Sequence, residues 1–308
     1  MNHCTNRWMH RFSCLLAGAT FVLIVAGANV TSHRAGLAVP DWPTTYGQFM
    51  FSFPISKWVG NILYEHGHRL IASTVGMMTI VLAFWLVRKE SRRWVRILGI
   101  VALAAVIAQG VLGGLTVKLM LPPAISIAHA GLAEIFFSLT IALALFTSAA
   151  WQNGPAPIES SNARRVRCLA AVTTLVTYLQ ILLGAAIRHA ETALLAHIVG
   201  AVLLFGSVVA TFTVVWLVSR RKEFVRNATF LLALVTVQIA LGVVTLVTRL
   251  PKNTTEQLSS IQIWLPTAHL AIGALILATS LTILLKTFWF LAPAQERTIM
   301  PLAAGAVS

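Results

Sequence analysis

Acidic residues are scarce in this chain. Nine Asp and Glu stand against 23 Lys and Arg in 308 residues, and charged side chains of both signs make up only 10%. With 57% hydrophobic residues and a mean hydropathy of +0.81, that poverty of charge excludes an ordinary soluble domain. Cysteine is nearly absent as well: Cys4, Cys14 and Cys168 form no C-x-x-C and no metal-ligand spacing. A disulfide framework and a thiolate zinc site are thereby excluded. A basic stripe of the kind that binds nucleic acid is also missing. The formal charge of +14 is spread over short loops between apolar runs, where it acts as a topology signal facing anionic headgroups.

In place of charge the chain has apolar length. Runs long enough to cross about 30 Å of hydrocarbon at about 1.5 Å per residue fall near 12–31, 62–87, 97–118, 125–150, 167–187, 192–218, 227–248 and 263–287. They predict eight helices and an all-α polytopic membrane protein. The first run follows Arg7 and Arg11 and ends in small residues, as a secretory signal does. It is longer than a signal's apolar core, so it reads as a retained helix. Lys and Arg number 2, 5, 3, 4 and 2 in the N-terminal segment, 88–96, 151–167, 219–226 and the C-terminal tail, against 2, 1, 1 and 2 on the other side. Both termini are therefore expected in the cytoplasm. With no Arg- and Ser-rich transit segment ahead of the first span, a bacterial inner membrane is the expected location.

In that orientation every even-numbered run opens at the outer face and carries one histidine in its opening turns: His68, His129, His197 and His269. Ionisable groups are expensive at membrane depth and usually serve a site. One such histidine is commonly a packing residue; four at one depth point to a shared task. The odd runs repeat too. Gln109-Gly-Val-Leu-Gly113, Gln180-Ile-Leu-Leu-Gly184 and Gln238-Ile-Ala-Leu-Gly242 share Q-x-x-L-G, and Leu23 to Gly27 is a degenerate fourth copy. Each glycine is followed by a cation, Arg34, Lys118, Arg188 or Arg249, and then by an even run with its histidine. The unit is a helical hairpin, and four hairpins predict two four-helix bundles related by a pseudo-twofold along the membrane normal. The expected domains are 1–150 with a long outer loop at 32–61, a cytoplasmic linker at 151–166, and 167–308.

Imidazoles facing each other across a bundle core suit axial ligation of haem iron, His68 with His129 and His197 with His269. Zinc is disfavoured because no second ligand lies at i+3 or i+4 from any of the four. The four cations are candidate propionate partners, with snorkelling to headgroups an equal alternative for each. Only the first half has an acid three residues before a histidine, Glu65 before His68, on the same helical face. That asymmetry assigns bond-making chemistry to the first half and an electron-carrying cofactor to the second. Glu134 is a second acid at depth, protonated or part of a proton path. In the outer loop, Gly36-Leu-Ala-Val-Pro-Asp-Trp-Pro-Thr-Thr-Tyr-Gly47 and the prolines at 40, 43 and 54 forbid a continuous helix. This loop reads as a cap over the first half.

At these residues the sequence resembles the haem A synthase family, membrane enzymes that turn haem O into haem A for haem-copper oxidases. The resemblance rests on Glu65, His68 and Arg69 as E-x-x-H-R, on GLAVPDWPTTYG, and on the ordered single histidines. It implies that His197 and His269 ligate haem B, that His68 and His129 line the site of the substrate haem O, and that Glu65 is needed for turnover. The implied reaction oxidises a ring methyl to a formyl group by successive hydroxylations. His66 is expected to be structural, or to act behind the residues that touch the substrate. Some family members carry a cysteine pair in the first outer loop; this loop has none, and Asp41 and Trp42 are assigned to capping the site or to folding the loop. A haem O synthase, oxidase assembly factors and a second copy of the chain are candidate partners, and the electron acceptor is left open. The alternatives are a dihaem b-type electron carrier, a haem carrier and a transporter.

Overall fold

The computed structural model describes residues 6–153, 157–218, 222–249 and 259–293. Eight helices in it are long and apolar enough to cross a membrane: α1 (Arg7–Ser32), α2 (Asn61–Lys89), α3 (Arg93–Lys118), α4 (Pro123–Thr147), α6 (Ala163–Ala190), α7 (Leu194–Val218), α8 (Lys222–Arg249) and α9 (Ser260–Phe290), with a single-turn α5 (Ala149–Gln152) between the fourth and fifth spans. The chain is an all-α multi-pass membrane protein. Each span begins and ends within a few residues of the apolar run that predicts it, and the differences have local causes. Asn6 caps α1 by accepting from the backbone N–H groups of Trp8 and Met9, which starts the helix at Arg7. Ser259 and Gln262 form a capping box that starts α9 at Ser260, so His269 lies deeper in its helix than the apolar run suggests. Pro266 is the seventh residue of α9, past the first turn, so its missing N–H leaves the Gln262 carbonyl without its usual helical donor.

The helices close into two rings: α1–α2–α3–α4 returns to α1, and α6–α7–α8–α9 returns to α6, while α1 and α4 of the first ring meet α9 and α6 of the second. Among the described residues one short sheet departs from the helical pattern, and its first strand lies within the expected linker. Residues Ile158–Ser160 (β1) pair in parallel with Leu291–Pro293 (β2), and Arg167 donates to the Leu291 carbonyl at 2.5 Å. A stack of Trp151 on Trp289, ring centroids 4.9 Å apart, joins the halves on the same side.

The apolar cores sit off-centre. Leu16, Val75, Leu82, Leu86, Val95, Phe136 and Leu143 pack the first ring; Val208, Phe224, Leu231, Val235, Ile276 and Ile283 pack the second. Phe137, Ala274 and Ala278, with Phe21 and Ile24, fill the seam. Val75, Phe136, Leu204 and Ile276 each follow their helix's histidine by seven residues, two turns or about 10 Å of helix. Both cores therefore end at the same depth below the imidazoles, on the side of the positively charged loops.

Candidate functional site

Each histidine meets the glycine of its own hairpin. A Cβ added to Gly27 would come within 3.0 Å of His68 Cε1; the corresponding distances are 3.2 Å from Gly113 to His129, 3.5 Å from Gly184 to His197 and 3.1 Å from Gly242 to His269. Three of the four are tighter than ordinary van der Waals contact, so the lack of a side chain lets the Cε1 edge of each ring approach the neighbouring helix without displacement. Each ring also faces the backbone carbonyl of the residue four before that glycine, namely Leu23, Gln109, Gln180 and Gln238. In all four, Nδ1 is buried with no well-formed hydrogen bond.

The pairs follow the halves. His197 and His269 stand with ring centroids 6.2 Å apart and planes at 68°, a separation of the size needed for one metal ion bound from both sides at about 2 Å per nitrogen. His68 and His129, on diagonal helices of the first ring, are close enough to interact electrostatically. No three His, Cys, Asp or Glu side chains converge among the described residues, so two imidazoles per half leave the rest of a coordination shell to the ligand itself, as haem does. Orphaned ring nitrogens, glycine cradles and the spacing of the second pair all fit that group.

Glu65 is arranged differently from a free catalytic carboxylate. It is 3% exposed, and both oxygens are engaged: Arg69 Nη2 donates to Oε1 at 2.6 Å, and the Val39 backbone N–H donates to Oε2 at 2.8 Å. Arg69 also donates to the carbonyls of Val39, Asp41 and Thr44 at 2.8, 2.6 and 3.0 Å. The i, i+4 pair thus latches the outer loop to α2. His66, fully buried, completes the latch: Nδ1 lies 3.1 Å from Thr45 Oγ1, and its ring packs on Phe53 and Trp58.

The two readings of Asp41 and Trp42 divide between them. Asp41 folds the loop by accepting from Thr44 Oγ1 and from the backbone N–H groups of Tyr46 and Gly47. Partial burial pushes its carboxyl up, but these donors outweigh that and hold it down at about 2. Trp42 lies against α3, where a Cβ on Gly114 would come within 2.6 Å of its ring. Gly114 is the residue next to Gly113, which meets His129.

The four cations do not behave alike. Arg34, two residues beyond α1, and Lys118, the last residue of α3, are exposed. Arg188 reaches across the seam to the Ala28 carbonyl at 2.7 Å and Ser32 Oγ at 2.6 Å. The side chain of Arg249 lies outside the described residues. Glu134 is buried on α4 with Oε2 lacking a partner, near Tyr178 of α6. His189 of α6 approaches His129 from the other half. Sequence reasoning assigned no task to the glutamines of Q-x-x-L-G, yet Gln109 and Gln180 donate to the His129 and His197 carbonyls, each at 2.9 Å. Their recurrence at one offset from the glycine was the available signal.

Residues 10–197, which carry Glu65, His68 and His129 and end at His197, match the model of the COX15-CtaA family, described as cytochrome oxidase assembly protein. Among similar proteins, the haem A synthase of Halalkalibacterium halodurans is 28% identical over 193 residues, covering 60% of this chain and 62% of that protein. The haem A synthase of Lysinibacillus sphaericus is 25% identical, covering 62% and 61%; that of Rhizobium etli is 26% identical over 304 residues, covering 76% and 80%. The chain thus spans about three fifths of the length of the first two relatives. Because the family match is continuous over more than half of the chain and includes the first imidazole pair and its latch, this chain belongs to the haem A synthase (COX15-CtaA) family of cytochrome oxidase assembly proteins.

Proposed function

We propose that the chain is a haem A synthase, oxidising a ring methyl of haem O to a formyl group by successive hydroxylations. The observation that supports this best is the set of four imidazoles in two pairs, each seated on the glycine of its own hairpin. His68 and His129 hold the substrate haem O under the outer loop. His197 and His269 hold haem B, the two rings being related to the first pair by a pseudo-twofold. Haem B, when bound, supplies a one-electron relay to an acceptor outside the chain. Both termini face the cytoplasm of a bacterial inner membrane, which puts the latch and the imidazoles toward the outer side.

Glu65 works through its contacts. Its charge is fixed beside the substrate by Arg69 and the Val39 N–H, in surroundings where little water screens it, so it stabilises positive charge developing on the reacting methyl carbon. If Glu65 takes up a proton, its ion pair with Arg69 is lost and the guanidinium is left on three loop carbonyls alone. Proton uptake is thereby coupled to the grip on the loop. Trp42 excludes water from the His129 side. Glu65→Ala should abolish haem A formation while haem B stays bound, and His197→Ala or His269→Ala should lose the low-spin haem B spectrum. Unchanged product formation in Glu65→Ala would remove Glu65 from the reaction.

A further inference from the structure

Three hairpins carry a glutamine four residues before the cradle glycine, and its amide crosses to the histidine of the next helix. Gln109 and Gln180 donate Nε2 to the main-chain carbonyls of His129 and His197 at 2.9 Å, and Gln238 Nε2 lies 3.2 Å from His269 Nε2. In each glutamine Oε1 is buried without a partner, so the amide's hydrogen bonding rests on the histidine residue. Two of the amides have seats of their own: a Cβ on Gly200 would come within 2.8 Å of Gln180 Oε1, and one on Gly273 within 3.4 Å of Gln238 Nε2. The first hairpin has Leu23 at this position. A leucine donates nothing, and the histidine left without a brace is His68.

We propose that the glutamines are positioning residues for iron ligation and that His68, which lacks one, is the ligand that yields. This inference rests on the haem-binding reading above. A side-chain bond to the histidine's own backbone ties that residue to the helix whose glycine cradles the ring. Drawing the helix turn that carries the imidazole away from the iron then breaks that bond and strands a buried amide where no water replaces it. His68 meets no such penalty. A site that takes up substrate and releases product needs one ligand that lets go, whereas a permanently held cofactor does not. The unbraced ligand also lies in the helix turn that carries Glu65 and Arg69, under the loop. At His269 the Gln238 amide stands at the nitrogen facing it, so iron ligation there requires the amide to turn to the His269 carbonyl, the arrangement seen at Gln109 and Gln180.

The test uses the full chain in detergent, loaded with haem B as the probe in both halves, reduced and mixed with carbon monoxide. Carbon monoxide binds ferrous iron only where an axial ligand has left. In the wild type one of the two haems should bind it, and His197→Ala should retain that phase. Leu23→Gln should slow the phase on the order of tenfold, the scale of one buried hydrogen bond. Independently, Gln180→Leu should make the second haem reactive. Unchanged kinetics in a haem-loaded Leu23→Gln, or carbon monoxide reacting only in the second half of the wild type, would overturn the inference while leaving the haem-binding reading intact. Failure of the wild type to take up haem would overturn both.

Discussion

At the scale of single residues, the glycine opposite each imidazole carries the strongest constraint. Gly242→Ala would set a methyl within 3.1 Å of the His269 ring, and displacing a packed ring costs about 1–3 kcal/mol. The expected result is haem B binding weakened by roughly tenfold or more at that cost, read as a diminished low-spin band in the reduced spectrum. Gly206→Ala on α7, where nothing lies within 4 Å of the added carbon, should leave the spectrum unchanged. The order of glycine and then histidine in each hairpin was legible in the sequence, but that the glycine seats the ring was not, because the two are separated by anything from 13 residues (Gly184 to His197) to 41 (Gly27 to His68). Nor was the second half of the story at Glu65. Its i+4 partner Arg69 could be read from helical spacing, but the Val39 N–H comes from a loop 26 residues earlier, and no periodicity predicts where an irregular segment returns.

At the scale of elements, the outer loop behaves as a strap fastened to one turn of α2. Arg69→Ala removes four hydrogen bonds and leaves Glu65 buried without its counter-charge, a change of the kind that costs about 3–5 kcal/mol. Protease nicking between residues 36 and 47 should rise sharply in Arg69→Ala, with the helical circular dichroism retained. Asp41 gives the strap a pH limit. Its carboxyl is held at about 2, below the ordinary 3.8, so its contribution is complete above about pH 4 and is lost as pH falls through about 2. The rate at which pepsin nicks the wild-type loop, divided by the rate for Asp41→Asn at the same pH, should rise between pH 4 and pH 2, the protease's own pH dependence cancelling in the ratio. Prolines at 40, 43 and 54 announced a non-helical loop. The parallel pairing of Ile158–Ser160 with Leu291–Pro293 was hidden, because three-residue strands carry too short a pattern to be read, and their register depends on where two helices end.

At the scale of the whole molecule, eight spans and their boundaries followed from apolar length and basic loops, since a hydrocarbon layer imposes both. Reporter fusions should place the tip of the 32–61 loop outside and the 88–96 loop in the cytoplasm. The packing of the halves brings a different kind of information: α1 and α4 meet α9 and α6, bringing Glu134 near Tyr178 and packing Phe21 and Phe137 with Ala274. Sequence alone showed that Glu134 was costly, and only the assembled seam shows which helix faces it. The division of labour between the halves is the central claim, and the haem inventory of the purified protein tests it most directly. After co-expression with a haem O synthase in a host lacking haem A, extracted haems should comprise haem B together with haem O and newly made haem A. Haem B alone, at about two equivalents per chain as the two histidine pairs would allow, would contradict the account and leave an electron carrier.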